Sequence, residues 1–97
     1  MANIQEVVTF EKKSASDCYE AALVAFPKAG FSILKKREIA YYALAQCTLN
    51  GTLIDATIMV RPGASPAMVI SVGANTLDEA ELKPLLEKLV SAIKSSF

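Results

Sequence analysis

Hydrophobic and polar residues alternate on both sides of Asn50-Gly51, over residues 39–61. Asn-Gly favours a two-residue hairpin loop because both central residues of a type I′ turn need positive φ. The pattern therefore predicts a hairpin over 39–61 whose register is fixed by the loop. One of its faces is almost wholly apolar and is predicted to face the core. That face pairs Leu49 with Thr52, Cys47 with Ile54, Ala45 with Ala56, Ala43 with Ile58 and Tyr41 with Val60.

The opposite face of the predicted hairpin mixes polar and apolar side chains, including Gln46 opposite Asp55. A sheet face that only meets water normally carries more charge. We therefore predict that four residues form a surface covered by another molecule, called here the predicted patch: Tyr42, Leu44, Leu53 and Met59. The alternative is that they are scattered exposed apolar residues, which are common on protein surfaces.

The remaining segments predict three more strands and a helix. Strands are indicated at 4–10, 31–35 and 68–73 by β-branched or alternating residues. Between the first two, Ser14 and Ser16 are candidate N-caps of a helix that Pro27 and Gly30 end. The charged residues 36–38 are predicted to form a polar connection into the hairpin.

The last segment, from about residue 78 to the end, predicts a second amphipathic helix. Because Pro84 removes a backbone hydrogen bond, we expect a loose first turn up to about Leu82 and a regular helix from near Pro84. The stripe that would face the core comprises Leu82, Leu86, Leu89, Ile93 and Phe97.

The order β-α-β-β-β-β-α predicts an α+β fold with a curved antiparallel five-stranded sheet and two helices on one face. This is the connectivity of the TATA-binding-protein-like architecture, and it resembles a shortened helix-grip fold. Residues 1–97 are long enough for a single domain with one core.

The charge balance and the distribution of apolar residues argue against some classes of function. Ten basic and ten acidic residues give a formal net charge of zero, which builds no positive field for nucleic acid or an anionic membrane. The sequence contains no run of eighteen or more apolar residues, so it predicts no transmembrane helix. The start lacks the features of a signal peptide, so we expect a cytoplasmic protein, or a periplasmic or envelope one if a targeting segment has been removed.

Catalytic chemistry has few candidates in this sequence. There is no histidine, the commonest general base and metal ligand. Asp55 is a lone carboxylate on a sheet face, and Cys18 and Cys47 are too far apart for a CxxC motif. A helix N-terminus near Cys18 would lower the pKa of its thiol. We expect no enzyme, cofactor or metal site, and we expect both cysteines to be free thiols.

Three segments resemble a family of small bacterial domains of uncharacterised function, several of them carried by envelope lipoproteins. They are DCYEAALVAFPKAGFSILKK, TLNGTLIDATIMVRPG and LLEKLVSAI, and the resemblance they mark extends from residue 17 to residue 93, over most of the chain. The resemblance implies no catalytic residues. The sequence departs from the lipoprotein members because no lipidation cysteine follows an apolar leader.

Two functional hypotheses remain open. The first is a non-enzymatic interaction module that uses the predicted patch. It would either form a homo-oligomer such as a dimer or bind a protein partner. The alternative is a small apolar ligand-binding domain, with a cavity between helices and sheet where Ala43, Ala45 and Ala56 leave room. Large core residues such as Phe26 and Leu89 would instead fill that space.

Overall fold

Five strands and two helices follow one another in the predicted order. The computed structural model describes residues 2–11 and 13–96. A short 3₁₀ turn, Glu38–Ala40, joins the second and third strands. The elements are β1 (Ala2–Thr9), α1 (Ala15–Lys28), β2 (Ser32–Arg37), β3 (Tyr42–Leu49), β4 (Thr52–Arg61), β5 (Ala67–Ala74) and α2 (Glu79–Lys94).

The strands form one antiparallel sheet in the order β1-β5-β4-β3-β2. α1 contacts β2, β3 and β4, α2 contacts β1 and β5, and the two helices contact each other. Their apolar stripes and the inward residues of the sheet form one core. The α+β fold with five antiparallel strands and two helices is therefore confirmed. The fully buried large side chains include Phe26, Ile54, Ile58, Met68, Ile70, Leu82, Leu89 and Ile93.

The predicted hairpin register is confirmed for eight pairs, from Leu49 opposite Thr52 to Tyr42 opposite Met59. Asn50 and Gly51 have φ of 51° and 79°, as a type I′ turn requires. The predicted start at residue 39 was wrong because the chain turns at Glu38–Ala40, after which Tyr41 adopts a left-handed φ of 49°. The N–H of Val60 still donates to the carbonyl oxygen of Tyr41, at 3.0 Å.

Several predicted boundaries also need correction. β2 continues to Arg37, so Lys36 and Arg37 lie in a strand and not in the predicted connection. Pro84 lies inside a regular α2, contrary to the expected loose first turn. A proline removes only one backbone bond, and the first turn is held by a capping box between Asp78 and Glu81.

The first helix begins as predicted at an N-cap formed by Ser14, whose side chain accepts from the N–H of Asp17 at 3.0 Å. Pro27 does not end this helix, which continues to Lys28. Gly30 follows with φ of 89°, the left-handed conformation expected just after a helix. The last residue of the predicted apolar stripe, Phe97, lies outside the described residues.

Candidate functional site

An apolar row crosses four neighbouring strands on the face of the sheet opposite the helices, called here the open face. Met59 lies between Tyr42 on β3 and Val69 on β5, and Val69 pairs in turn with Val7 on β1. Residues directly opposite on neighbouring strands have Cβ atoms about 5 Å apart, so these side chains are neighbours. Val7 is 55% exposed and Met59 is 39% exposed, while Tyr42 and Val69 are half-buried.

The structure brings three of the four predicted patch residues together. Tyr42 and Met59 belong to the apolar row, and Leu44 lies on β3 two residues from Tyr42. Leu53 is exposed but lies apart. Leu44 pairs with Thr57 on β4, and Leu53 lies four residues before Thr57 on the same strand. The distance along the strand is therefore about 13 Å.

A polar pair lies between Leu53 and the rest of the patch. The Nε2 of Gln46 donates a hydrogen bond to the Oδ1 of Asp55, at 2.5 Å. This places a hydrogen-bonded carboxylate on the open face, with Gly73 as its neighbour on β5. The pair separates Leu53 from the other three residues of the predicted patch.

Sequence reasoning missed Val7 and Val69 because it did not order the strands. The alternation along β5 does separate Val69 from Met68 and Ile70, which are core residues. Val7 follows the same rule on β1. Only the sheet order, in which β5 lies between β1 and β4, shows that both valines continue a row begun by Tyr42 and Met59.

Basic side chains border the apolar row. Lys35 pairs with Leu44 and Arg37 pairs with Tyr42, so both lie at the β2 edge of the open face. Arg61 lies on the same face as Met59, two residues further along β4. Although the chain is formally neutral, this end of the open face is therefore basic.

The two cysteines are free thiols. Cys18 is fully buried, and burial, followed by the carboxylate of Asp17, raises the pKa of its thiol. The lowered pKa expected from the helix N-terminus was therefore wrong, because the rise caused by burial and by Asp17 outweighs the lowering by Lys13 and by a backbone hydrogen bond. Cys47 is half-buried, and burial raises its pKa as well.

The described part of the chain contains no cluster of three or more histidine, cysteine, aspartate or glutamate residues that could hold a metal ion. Within the same residues, no helix is both long enough and apolar enough to cross a membrane.

The small residues under α1 belong to the closed core. Ala43, Ala45 and Ala56 are at most 1% exposed and lie in the same cluster as Phe26 and Leu89, which are fully buried. Cα atoms of α1 come within 8 Å of Cα atoms of β3 and β4. Such an approach is possible because alanine side chains separate the helix from the sheet.

An open groove runs along the seam between α2 and the edge strand β1. It has a volume of about 340 Å³, and its apolar wall includes Ile4, Ala80 and Leu86. Its charged rim comprises Glu6, Glu79, Lys83 and Glu87.

The fold is similar to that of several solved structures. The crystal structure of Ara h 8.0201 has a TM-score of 0.61 and 11% identity, over 96% of this chain and 97% of that one. The structure of TTHA0849 from Thermus thermophilus has a TM-score of 0.57 and 9% identity, over 97% of this chain and 92% of that one.

A DUF4468 family protein from Bacteroides ovatus has a TM-score of 0.52 and 8% identity, over 97% of this chain and 78% of that one. No family model matches the sequence, and no curated protein matches it. At these identities the similarity shows a shared fold alone and assigns no family. The resemblance to a family of small bacterial domains stays a prediction.

Proposed function

We propose that this chain is a non-enzymatic interaction module that self-associates through the open face of its sheet. The supporting observation is the apolar row, which is continuous over four strands on the face that the helices leave uncovered. Single exposed apolar side chains are common, but a contiguous exposed set is typical of surfaces that a partner covers.

The open face is large enough for a dimer interface. Its five strands have six to ten residues each. With strands about 4.8 Å apart and a rise of about 3.3 Å per residue, the face covers roughly 600 Å² in projection. A stable interface buries about 800 Å² of accessible surface per partner, and side chains make the accessible surface of a face larger than its projection.

The charges on this face predict how self-association depends on salt. Lys35, Arg37 and Arg61 outnumber Asp55, so two open faces repel each other electrostatically. Because added salt screens exposed charges, self-association is expected to strengthen as ionic strength rises. Binding of an acidic protein partner to the same face would weaken instead.

Light scattering on paired variants tests this proposal. Replacing Val7 and Met59 by lysine puts two charges into the apolar row, and the expected result is a folded monomer where the wild type is a dimer. The control carries the same two charges at Leu49 and Val24, which are 42% and 51% exposed and lie off the open face. It is expected to remain a dimer. A wild type that is monomeric at high concentration and high salt would contradict the proposal.

The second candidate is the binding of a small apolar ligand between helix and sheet. The structural comparisons support ligand binding more than they support self-association. The chain shares with those proteins the arrangement of helices over a sheet, and a ligand site between helix and sheet would lie within that arrangement. The space beside Ala43, Ala45 and Ala56 is closed. A ligand would therefore enter at the seam groove, whose volume of about 340 Å³ falls at the lower end of the range for small-molecule sites.

A neutral fluorescent probe, N-phenyl-1-naphthylamine, distinguishes this candidate from the first. If the groove binds apolar molecules, the probe gains fluorescence with the wild type and loses it with Ala80→Phe, which fills the groove. Ala64→Phe adds the same ring at another exposed alanine and is expected to leave binding unchanged. Equal fluorescence with both variants would exclude the groove as the site.

A further inference from the structure

The 3₁₀ turn presents one isoleucine entirely to solvent. Ile39 is 101% exposed, more than any other large apolar residue that the structure describes. It lies at the same end of the sheet as the apolar row, beyond Tyr42. An open surface concavity of about 600 Å³ adjoins it, lined by Lys36, Arg37, Glu38, Ile39 and Ala40.

This turn is fixed to the core on its far side. The N–H of Tyr41 donates to the carbonyl oxygen of Glu38 at 3.1 Å. The ring of Tyr41 meets that of Tyr19 edge to face, with centroids 5.9 Å apart. The hydroxyl of Tyr19 donates to the carbonyl oxygen of Tyr42 at 3.1 Å. Ile39 is therefore held outward by an anchored turn.

Four basic residues surround this turn and one acidic residue lies in it. Lys35, Lys36 and Arg37 precede it and are exposed, and Arg61 lies at the same end of the sheet on β4. Glu38 is the single acidic residue of the turn. These five side chains together carry three net positive charges, although the chain as a whole is neutral.

We propose that this corner binds an anionic membrane surface, with Ile39 inserted among the lipid headgroups and the basic residues against them. A projecting apolar residue within a basic cluster provides the two signals that peripheral membrane binding combines. A protein partner would need a broad complementary area, whereas a bilayer accommodates one projecting side chain. The proposal departs from the expectation drawn from net charge, because zero net charge does not exclude a local cluster of basic residues.

The expected strength follows from these two signals. Each basic residue near an anionic bilayer strengthens binding about fivefold, and insertion of an isoleucine side chain strengthens it about tenfold. Lys36→Gln with Arg37→Gln is therefore expected to weaken vesicle binding about 25-fold. Ile39→Ser is expected to weaken it about tenfold.

Sedimentation with sucrose-loaded vesicles tests the proposal. Vesicles of equal parts phosphatidylglycerol and phosphatidylcholine are expected to bind the wild type, and pure phosphatidylcholine is not. Val24→Ser changes a half-exposed apolar residue on α1 and is the control for Ile39→Ser. Lys83→Gln with Lys94→Gln, both on α2, is the control for the charge variant. Neither control is expected to reduce binding by more than about twofold.

Three results would overturn the proposal. The first is that the wild type does not sediment with anionic vesicles. The second is that Ile39→Ser and Val24→Ser lose vesicle binding equally. The third is that soluble polyglutamate competes with the vesicles equally well for the wild type and for Ile39→Ser. The last would indicate an acidic protein partner. The Ile39→Ser variant keeps the apolar row intact, so its molecular mass in solution without lipid is expected to match that of the wild type. Failure of the membrane proposal would therefore leave the self-association proposal unaffected.

Discussion

Replacing Ala45 by leucine separates a closed core from one with room for a ligand. Ala45 is fully buried on β3, directly opposite Ala56, and lies under α1. Leucine adds three carbon atoms at this point. Whether they meet occupied or empty space decides the sign of the change in stability.

The two possibilities differ by several kcal/mol. In a filled core, extra methylene groups force side chains and backbone to move, which costs about 1–3 kcal/mol. In an empty apolar cavity, three buried carbons at about 0.8 kcal/mol each would add roughly 2 kcal/mol to the free energy of unfolding. The structure predicts destabilisation, because Ala45, Ala56 and Phe26 all belong to one fully buried cluster.

Urea denaturation followed by circular dichroism measures this change. The midpoint is expected to fall with an unchanged slope, and the melting temperature is expected to fall by about 4–8 °C per kcal/mol. Ala64→Leu, at an exposed alanine in the loop before β5, is the control and should change stability by less than about 0.5 kcal/mol. A more stable Ala45→Leu variant would refute the closed core and favour a cavity beneath α1.

Three further predictions concern single contacts. Tyr19→Phe removes the hydrogen bond to the carbonyl oxygen of Tyr42 and is expected to lower the free energy of unfolding by about 1 kcal/mol in urea; no change would show that water replaces the bond. Asp78→Ala removes the N-cap of α2, with a loss of about 1 kcal/mol in the same assay and a smaller one for Asp78→Asn. The raised pKa of the Cys18 thiol leaves the folded state holding more protons than the unfolded state at alkaline pH. The contribution of the protonated thiol to the free energy of unfolding is therefore expected to be fully present below about pH 8.5 and to decrease above it. The decrease is expected to be shallower in Cys18→Ala. An identical pH dependence in that variant would contradict the assignment to Cys18.

The hairpin could be predicted pair by pair because its information is local. Asn50-Gly51 fixes the loop, and the loop fixes which of Ala45 and Leu44 faces the core. The helix caps at Ser14 and Asp78 are local in the same way. Such features depend on a few adjacent residues whose side chains satisfy nearby backbone groups.

The extent of the candidate surface could not be predicted because it depends on contacts distant in sequence. Val7 lies far from Met59 in sequence and reaches the same row only because β5 lies between β1 and β4. Arg37 was expected in a connection, since a run of three charges resembles a solvated loop. In the structure it pairs with Tyr42 and makes one end of the open face basic.

The most direct test of self-association through the open face compares two methionine side chains by NMR. In protein labelled at the methionine methyl groups, Met59 reports on the apolar row and Met68, which is fully buried, is an internal control. At high protein concentration we predict that the Met59 methyl is protected from a soluble paramagnetic agent and becomes accessible on dilution, while Met68 stays protected throughout. A Met59 methyl that is equally accessible at every concentration would contradict self-association through the open face.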